Sequence, residues 1–410
     1  MKKLIKFFVI ILGVIFFNMT LVGAEITKGT PTSNKICGNI SWASPFYNEG
    51  DRLYSGNDTS DTLYVDASSE EELKKCIMAS IQSMRGVFFI HYTGDSENLK
   101  NLLKDTLDGR YDYSGYGRCL MKCWKCSYDG YSNNVMINFN IEYVESKEQA
   151  DAVDKKIREI LAGLITVDMN EFQKEKAIHD YIVKNVAYDE TKDKYSDYDG
   201  LFNGKTVCQG YALLNYKMLT MAGIKTRIVI GIAGGAPHGW NMVNIKDNWY
   251  HVDCTWDDPI PDIQGRVNNG YFNVTDDAIE KDHSWDKTKY EACTSLFKYE
   301  SLKEVLFEPT GQYKVVKNIK DASVDRKFTI KFSKELNKDI LNKDSIVFVK
   351  GYDGEKLSFK IENLGTSLVI TPEEKLKPFT KYYIIINEGI TAVDGSETNG
   401  NVLIKIETAL

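Results

Sequence analysis

Gly204-Lys205-Thr206-Val207-Cys208-Gln209-Gly210-Tyr211-Ala212 is the stretch that decides the fold. A short polar loop runs into the apolar segment Cys208 to Met221, which reads as a buried helix stopped by Gly223. Cys208 therefore stands where loop becomes helix. Free N–H groups and the helix dipole favour an anion at that place, so the thiol should ionise more easily. A thiolate is the attacking form of cysteine. A lone cysteine is more often a small packed hydrophobe, so chemistry needs partners elsewhere in the chain.

Two later segments supply them. Thr226 to Ile232, Gly239 to Ile245 and Trp249 to Thr255 read as strands, the last two flanking a turn at Lys246-Asp247-Asn248. Pro237-His238-Gly239-Trp240-Asn241 puts a histidine at the start of one strand. His251-Val252-Asp253-Cys254-Thr255-Trp256 puts an acid on the next. A cysteine nucleophile needs an imidazole, and the imidazole needs an orienting group. His238 and Asp253 are those candidates. A simple turn at 246–248 pairs Asp253 with Asn241 rather than His238, so a bulge near Gly239 or a wider turn is required. Upstream, Asn170 to Asn185 reads as a helix, and Asp189 to Gly204 as a polar loop.

On these motifs, residues 168–287 resemble the transglutaminase-like superfamily, in its bacterial branch near the kyphoscoliosis-peptidase type. The matching residues are Gly204 to Ala212, Met221-Ala222-Gly223-Ile224, His238-Gly239-Trp240-Asn241 and Trp249 to Asp257. Tyr271-Phe272 followed by His283 resembles the tail of such domains. The resemblance implies an α+β, papain-like core with Cys208 as nucleophile, His238 as general base and acid, and Asp253 as orienting acid. It implies a cysteine enzyme acting on carboxamide or peptide bonds through a thioester, by hydrolysis or transfer to an amine. Crosslinking members carry Trp after the nucleophile; Gln209 stands there here, which leaves hydrolysis equally open. The oxyanion hole would use the Cys208 N–H and a second donor, for which Gln209, Tyr188 and Trp240 are candidates.

The rest of the chain frames this core. It has 410 residues, 43% hydrophobic, which is long for one domain and too apolar for a disordered chain. Lys2, Lys3 and Lys6, the apolar run Phe7 to Phe17 and Val22-Gly23-Ala24 form the layout of a secretory leader. The expected divisions are a leader at 1–24, a smaller α+β domain at 25–165, the core at 166–309 and an all-β sandwich at 310–410. In the α+β part, Ser68 to Met84 and Ser96 to Leu107 read as helices, Val87 to Tyr92 as a strand, and Tyr116 to Tyr128 with Val135 to Val144 as a hairpin. Ser146 to Leu164 is a long charged helix. The last hundred residues alternate in short runs, Phe328 to Phe332, Ser345 to Val349, Leu357 to Ile361, Leu368 to Ile370, Tyr382 to Ile386 and Val402 to Ile406. They resemble a bacterial immunoglobulin-like domain in Val369-Ile370-Thr371-Pro372, Leu376 to Tyr382 and Val393-Asp394-Gly395.

A net charge of −7, with 51 basic and 58 acidic residues, excludes a bulk basic field for nucleic acid. The expected partner is a protein or peptide at the cell surface, a wall peptide among them, with no membrane contact once the leader is removed. The expected location is secreted or non-covalently surface-bound. No cofactor and no metal is expected. Cys119, Cys123 and Cys126 offer only three ligands where structural zinc wants four; disulfides or packed thiols are the alternatives. Cys254 reads as core, on the opposite face of a strand from Asp253. His251, His179 and His91 read as structural, and Asp257-Asp258 and Asp276-Asp277 as solvated surface. The rival functions are a non-catalytic surface binding protein and a metal-dependent hydrolase built on His238, His251 and Asp253. The second lacks His-x-x-x-His spacing.

Overall fold

The computed structural model describes residues 35–44, 63–107, 115–258, 260–263, 265–304, 306–337, 345–351 and 354–410. The expected leader, residues 1–24, lies outside them. Among the described residues no helix is long and apolar enough to cross a membrane.

The first unit contains β1 (Lys35–Ala43), β2 (Leu63–Ala67), α1 (Glu70–Gln82), β3 (Val87–Tyr92), α2 (Leu99–Leu107), α3 (Tyr116–Leu120), β4 (Met121–Tyr131) and β5 (Asn134–Tyr143). Its five-stranded sheet runs β1-β4-β5-β3-β2. Strict alternation in β3 and β5 sends Phe88, Ile90, Val135, Ile137 and Phe139 into one core with Leu73 and Ile77 of α1 and Leu103 of α2. The expected strand from Tyr116 begins five residues later. Gly115, at φ +70°, turns the chain into the short α3 instead, and a Cβ there would lie 2.5 Å from the Ile228 carbonyl. Only glycine permits that close approach.

The second unit follows with α4 (Lys147–Leu164), α5 (Glu171–Asn185), β6 (Ala187–Tyr188), α6 (Asp197–Asn203), β7 (Lys205–Thr206), α7 (Cys208–Met221), β8 (Lys225–Ala233), β9 (Ala236–Ile245), β10 (Asn248–Val252), α8 (Cys254–Asp257), β11 (Phe272–Val274), α9 (Asp276–Ile279) and β12 (His283–Trp285). Capping boxes start α4 at Ser146 and α5 at Asn170. The sheet order is β11-β10-β9-β8-β12. Helix α7 is apolar nearly all round and runs through the middle, as a buried helix does. Its one buried cation, Lys217, ties it to Asp197 of α6 at 3.3 Å and Asp154 of α4 at 3.2 Å. The buried face of α4 (Val153, Ile157 and Leu161) belongs to this second core, although the expected boundary at 165 put the helix in the first unit.

The third unit has β13 (Tyr313–Ala322), β14 (Phe328–Lys331), β15 (Ile346–Lys350), β16 (Phe359–Asn363), β17 (Ser367–Pro372), β18 (Lys381–Ile386) and β19 (Asn401–Thr408). Sheets β13-β19-β18-β15 and β14-β17-β16 enclose Phe328, Phe348, Ile370, Ile384 and Ile406. This is the expected sandwich. Strand β13 was not anticipated because its lysines and mostly exposed side chains give it no alternation; it is an edge strand, paired parallel to β19. Phe379 reaches the second core, and Lys377 donates to Glu171 at 2.5 Å beside it.

The structure has no disulfide among the described residues. Cys126 packs in the first core and Cys119 against Ala212 and Leu213, while Cys123 donates to Glu142.

Candidate active site

The start of α7 is set from three sides. Strand β6 pairs parallel with β7, placing Tyr188 beside Thr206. Val207 is extended and makes no side-chain cap. The first helical bonds come from Gly210 and Tyr211 to the Val207 carbonyl, at 2.9 and 3.2 Å. The N–H groups of Cys208 and Gln209 precede them and fall outside the helical ladder. A Cβ on Gly210 would lie 1.9 Å from Thr206 Oγ1 and 2.5 Å from the Ser196 carbonyl, so the glycine two residues after the cysteine lets the helix begin here.

His238 lies on β9 opposite Gly231 of β8. The β9–β10 connection is a two-residue turn, Lys246 and Asp247 at φ 51° and 61°, the geometry that twists with the strands. Its register is regular and pairs Val252 with Asn241. The bulge expected near Gly239 is absent, and Asp253 is not on the strand. The chain leaves the sheet at Asp253, which N-caps α8 through Oδ1, accepting from Thr255 N at 2.9 Å and Trp256 N at 3.2 Å. That change of direction swings Oδ2 back to His238 Nε2 at 2.7 Å. With Nε2 so occupied, Nδ1 is the ring nitrogen left free of Asp253, and Cys208 is the next group to act on the same imidazole. All three side chains are buried, Asp253 at 1% exposure and Cys208 and His238 at 6%.

Sequence reasoning missed the fourth member. His283 Nε2 lies 3.1 Å from the same Asp253 Oδ2, and its Nδ1 lies 2.6 Å from Asp282 Oδ1. Tyr271 donates to the other Asp282 oxygen at 2.6 Å. The only sequence signal was the Tyr271…His283 tail, which carries no spacing that points to Asp253.

Burial pulls the His238 imidazole down, but the charge and hydrogen bond of Asp253, with Cys208 beyond, outweigh it and lift the pKa to about 10. Burial likewise works against the Asp253 carboxylate, yet His238 and His283 hold it well below the usual range. His238 thus binds its proton more tightly folded than unfolded, where 6.5 is usual. Its stabilising contribution is full below about pH 6.5 and is lost as pH rises through about 10. The difference in urea midpoint between the native chain and His238→Gln should therefore shrink across that window. A difference that stays constant contradicts the His238–Asp253 ion pair.

The candidate oxyanion donors separate. Trp240 Nε1 donates to His251 Nδ1 at 3.0 Å, and Gln209 Nε2 to the Cys119 carbonyl at 2.6 Å. Both side chains are engaged away from Cys208. Tyr188 is half-buried; burial, then the neighbouring Cys208, push its hydroxyl up to about 12.

His251 is core-satisfied as expected: Nδ1 accepts from Trp240, Nε2 faces Asp276 at 2.9 Å, and burial lowers its pKa to about 4. Cys254 is core as expected, but as the first residue of α8 rather than a strand residue. Asp257 and Asp258 are not solvated surface. Asp257 accepts from buried His179 at 3.0 Å and from Tyr271 N, and Asp258 accepts from Tyr211. Asp276 is tied to His251, while Asp277 is exposed.

Among the described residues, two groups have metal-ligand atoms close together, His238–Asp253–His283 and His251–Asp276–Cys293. In the first, both ring Nε2 atoms meet one carboxylate oxygen at hydrogen-bond distance. In the second, the Trp240 N–H fixes the His251 proton on Nε2, the atom a metal would need. The donor chemistry of both groups is that of hydrogen bonding.

Residues 158–254, from the end of α4 through Cys208, His238 and Asp253, match the transglutaminase-like superfamily. The central domain is transglutaminase-like. Residues 312–405 match a bacterial Ig-like domain. The kyphoscoliosis peptidases of Mus musculus and Homo sapiens are 26% identical over 173 residues and 28% over 156 residues, covering 37% and 32% of this chain. The matches span about a quarter of those relatives, 26% and 24% of their lengths. A solved transglutaminase aligns at 15% identity and TM-score 0.24, over 47% of this chain and 58% of its own. A proposed cysteine protease from Cytophaga hutchinsonii aligns at 16% identity and TM-score 0.24, over 42% and 65%. The match to the superfamily covers Cys208, His238 and Asp253 and stops at Cys254, short of His283.

Proposed function

We propose that the protein is a cysteine enzyme acting on carboxamide or peptide bonds of a protein or peptide substrate. The observation that carries this reading is one buried imidazole, His238, held on Asp253 by one nitrogen and set beside buried Cys208, whose charge acts on it. The Cys208 thiolate attacks the carbonyl carbon, and the developing oxyanion meets the Cys208 N–H and the Tyr188 hydroxyl. His238 gives its proton to the leaving amine as the C–N bond breaks, forming a thioester. Water, deprotonated by His238, then releases an acid; an amine in its place yields a new amide. The leader-like N-terminus and the Ig-like domain favour action outside the cell, on surface proteins or wall peptides.

Mass spectrometry of peptide and wall-fragment mixtures incubated with the protein and with Cys208→Ala tests this. Cleavage or deamidation that needs Cys208 indicates hydrolysis. Ammonia release with new crosslinks indicates transfer. Identical product lists for the two proteins would leave a binding protein as the better description.

A further inference from the structure

We propose that His283 is a positioning residue that acts through Asp253, drawing charge from the oxygen that holds His238 and so keeping the His238 proton transferable. The proposal rests on the reading of Cys208, His238 and Asp253 as the reacting set.

The geometry is a competition for one atom. Asp253 Oδ2 lies 2.7 Å from His238 Nε2 and 3.1 Å from His283 Nε2. The carboxylate cannot turn to give each ring its own oxygen, because Oδ1 is occupied by the N–H groups of Thr255 and Trp256. Both ring nitrogens of His283 face carboxylate oxygens, which accept, so a proton on Nε2 is donated to Asp253 and one on Nδ1 to Asp282. Each donor on an anion reduces what the anion offers the other.

His283 has no freedom to leave. It is buried at 3% exposure among the rings of Trp256 at 4.6 Å, Trp240 at 5.0 Å and Tyr271 at 5.4 Å. The charged and titratable groups facing it are Asp253, Asp282, Tyr271 and His238, with His251 behind Trp240. Those facing His238 are Cys208, Asp253 and His283. Asp253 does not need His283 to stay in place, since its backbone cap already fixes it. What His283 changes is the charge left for His238. An imidazolium held by an undivided carboxylate would surrender its proton to a leaving amine less readily.

The test needs no substrate. The alkylation rate of Cys208 by iodoacetamide is followed against pH by mass spectrometry of the Cys208 peptide. In the native chain an alkaline inflection marks loss of the His238 proton beside the thiolate. His283→Gln should move that inflection up by about half a pH unit or more. Asp282→Asn, at a residue whose side chain is 34% exposed, should move it the same way by less, and serves if the first variant does not fold. An inflection that stays or moves down in the folded variant overturns the role of His283 and leaves the Cys208–His238 pair standing. A native profile with a single inflection at the position of a free thiol overturns both.

Discussion

Replacing His238 by alanine is expected to slow turnover of an amide or peptide substrate by about 10³-fold or more, with the chain still folded. Two losses combine. The thiol has no neighbouring base, and the leaving amine has no proton donor in a site where Cys208 and Asp253 are buried. The fold survives because Asp253 is not orphaned: His283 and two backbone N–H groups still satisfy it. The check is turnover of a peptide found to require Cys208, together with Cys208 alkylation near neutral pH and a urea titration. A variant retaining activity within tenfold of the native chain would remove His238 from the chemistry.

Replacing Asp253 by alanine is expected to be the more damaging change to stability, by about 3–5 kcal/mol. The carboxylate is the anion between two buried imidazoles whose ring centroids are 5.5 Å apart. Removing it leaves those rings facing each other without a counter-charge, and strips the cap from α8. Asp253→Asn should cost less, since an amide oxygen can still cap the helix while the charge is lost. Urea unfolding of both variants at pH 7 measures the two parts. A loss under about 1 kcal/mol for the alanine variant would show that the pair is not held as an ion pair.

Much of this site is legible from local pattern. Cys208 at a helix start follows from a polar loop, an apolar run and a stopping glycine, and the structure begins α7 at that residue. The sandwich strands follow from alternation wherever one face is buried, and β13 escapes because an edge strand need bury little. The link between His238 and Asp253 was foreseen, but the means was not. A turn one residue shorter than expected shifts the register, and an N-cap rather than a bulge redirects the carboxylate. Such geometry depends on where a chain leaves its sheet, which period-2 patterning does not encode. His283 was harder still. It reaches Asp253 from thirty residues away because β12 adds to β8 as the edge strand of the sheet, a long-range pairing with no local signature. The burial of Asp257 and Asp258 was missed for the same reason, since their partners His179 and Tyr211 lie on helices far earlier in the chain.

The hydrogen bond from Gln209 to the Cys119 carbonyl has a consequence for how the chain can be taken apart. The residue beside the nucleophile is fixed by a backbone atom of another unit, at 2.6 Å and out of reach of water. Trimming the chain to the transglutaminase-like segment would leave that amide facing an empty wall, next to the group whose aim matters most. The first unit is therefore part of the frame of the site, and the core is not a portable cassette.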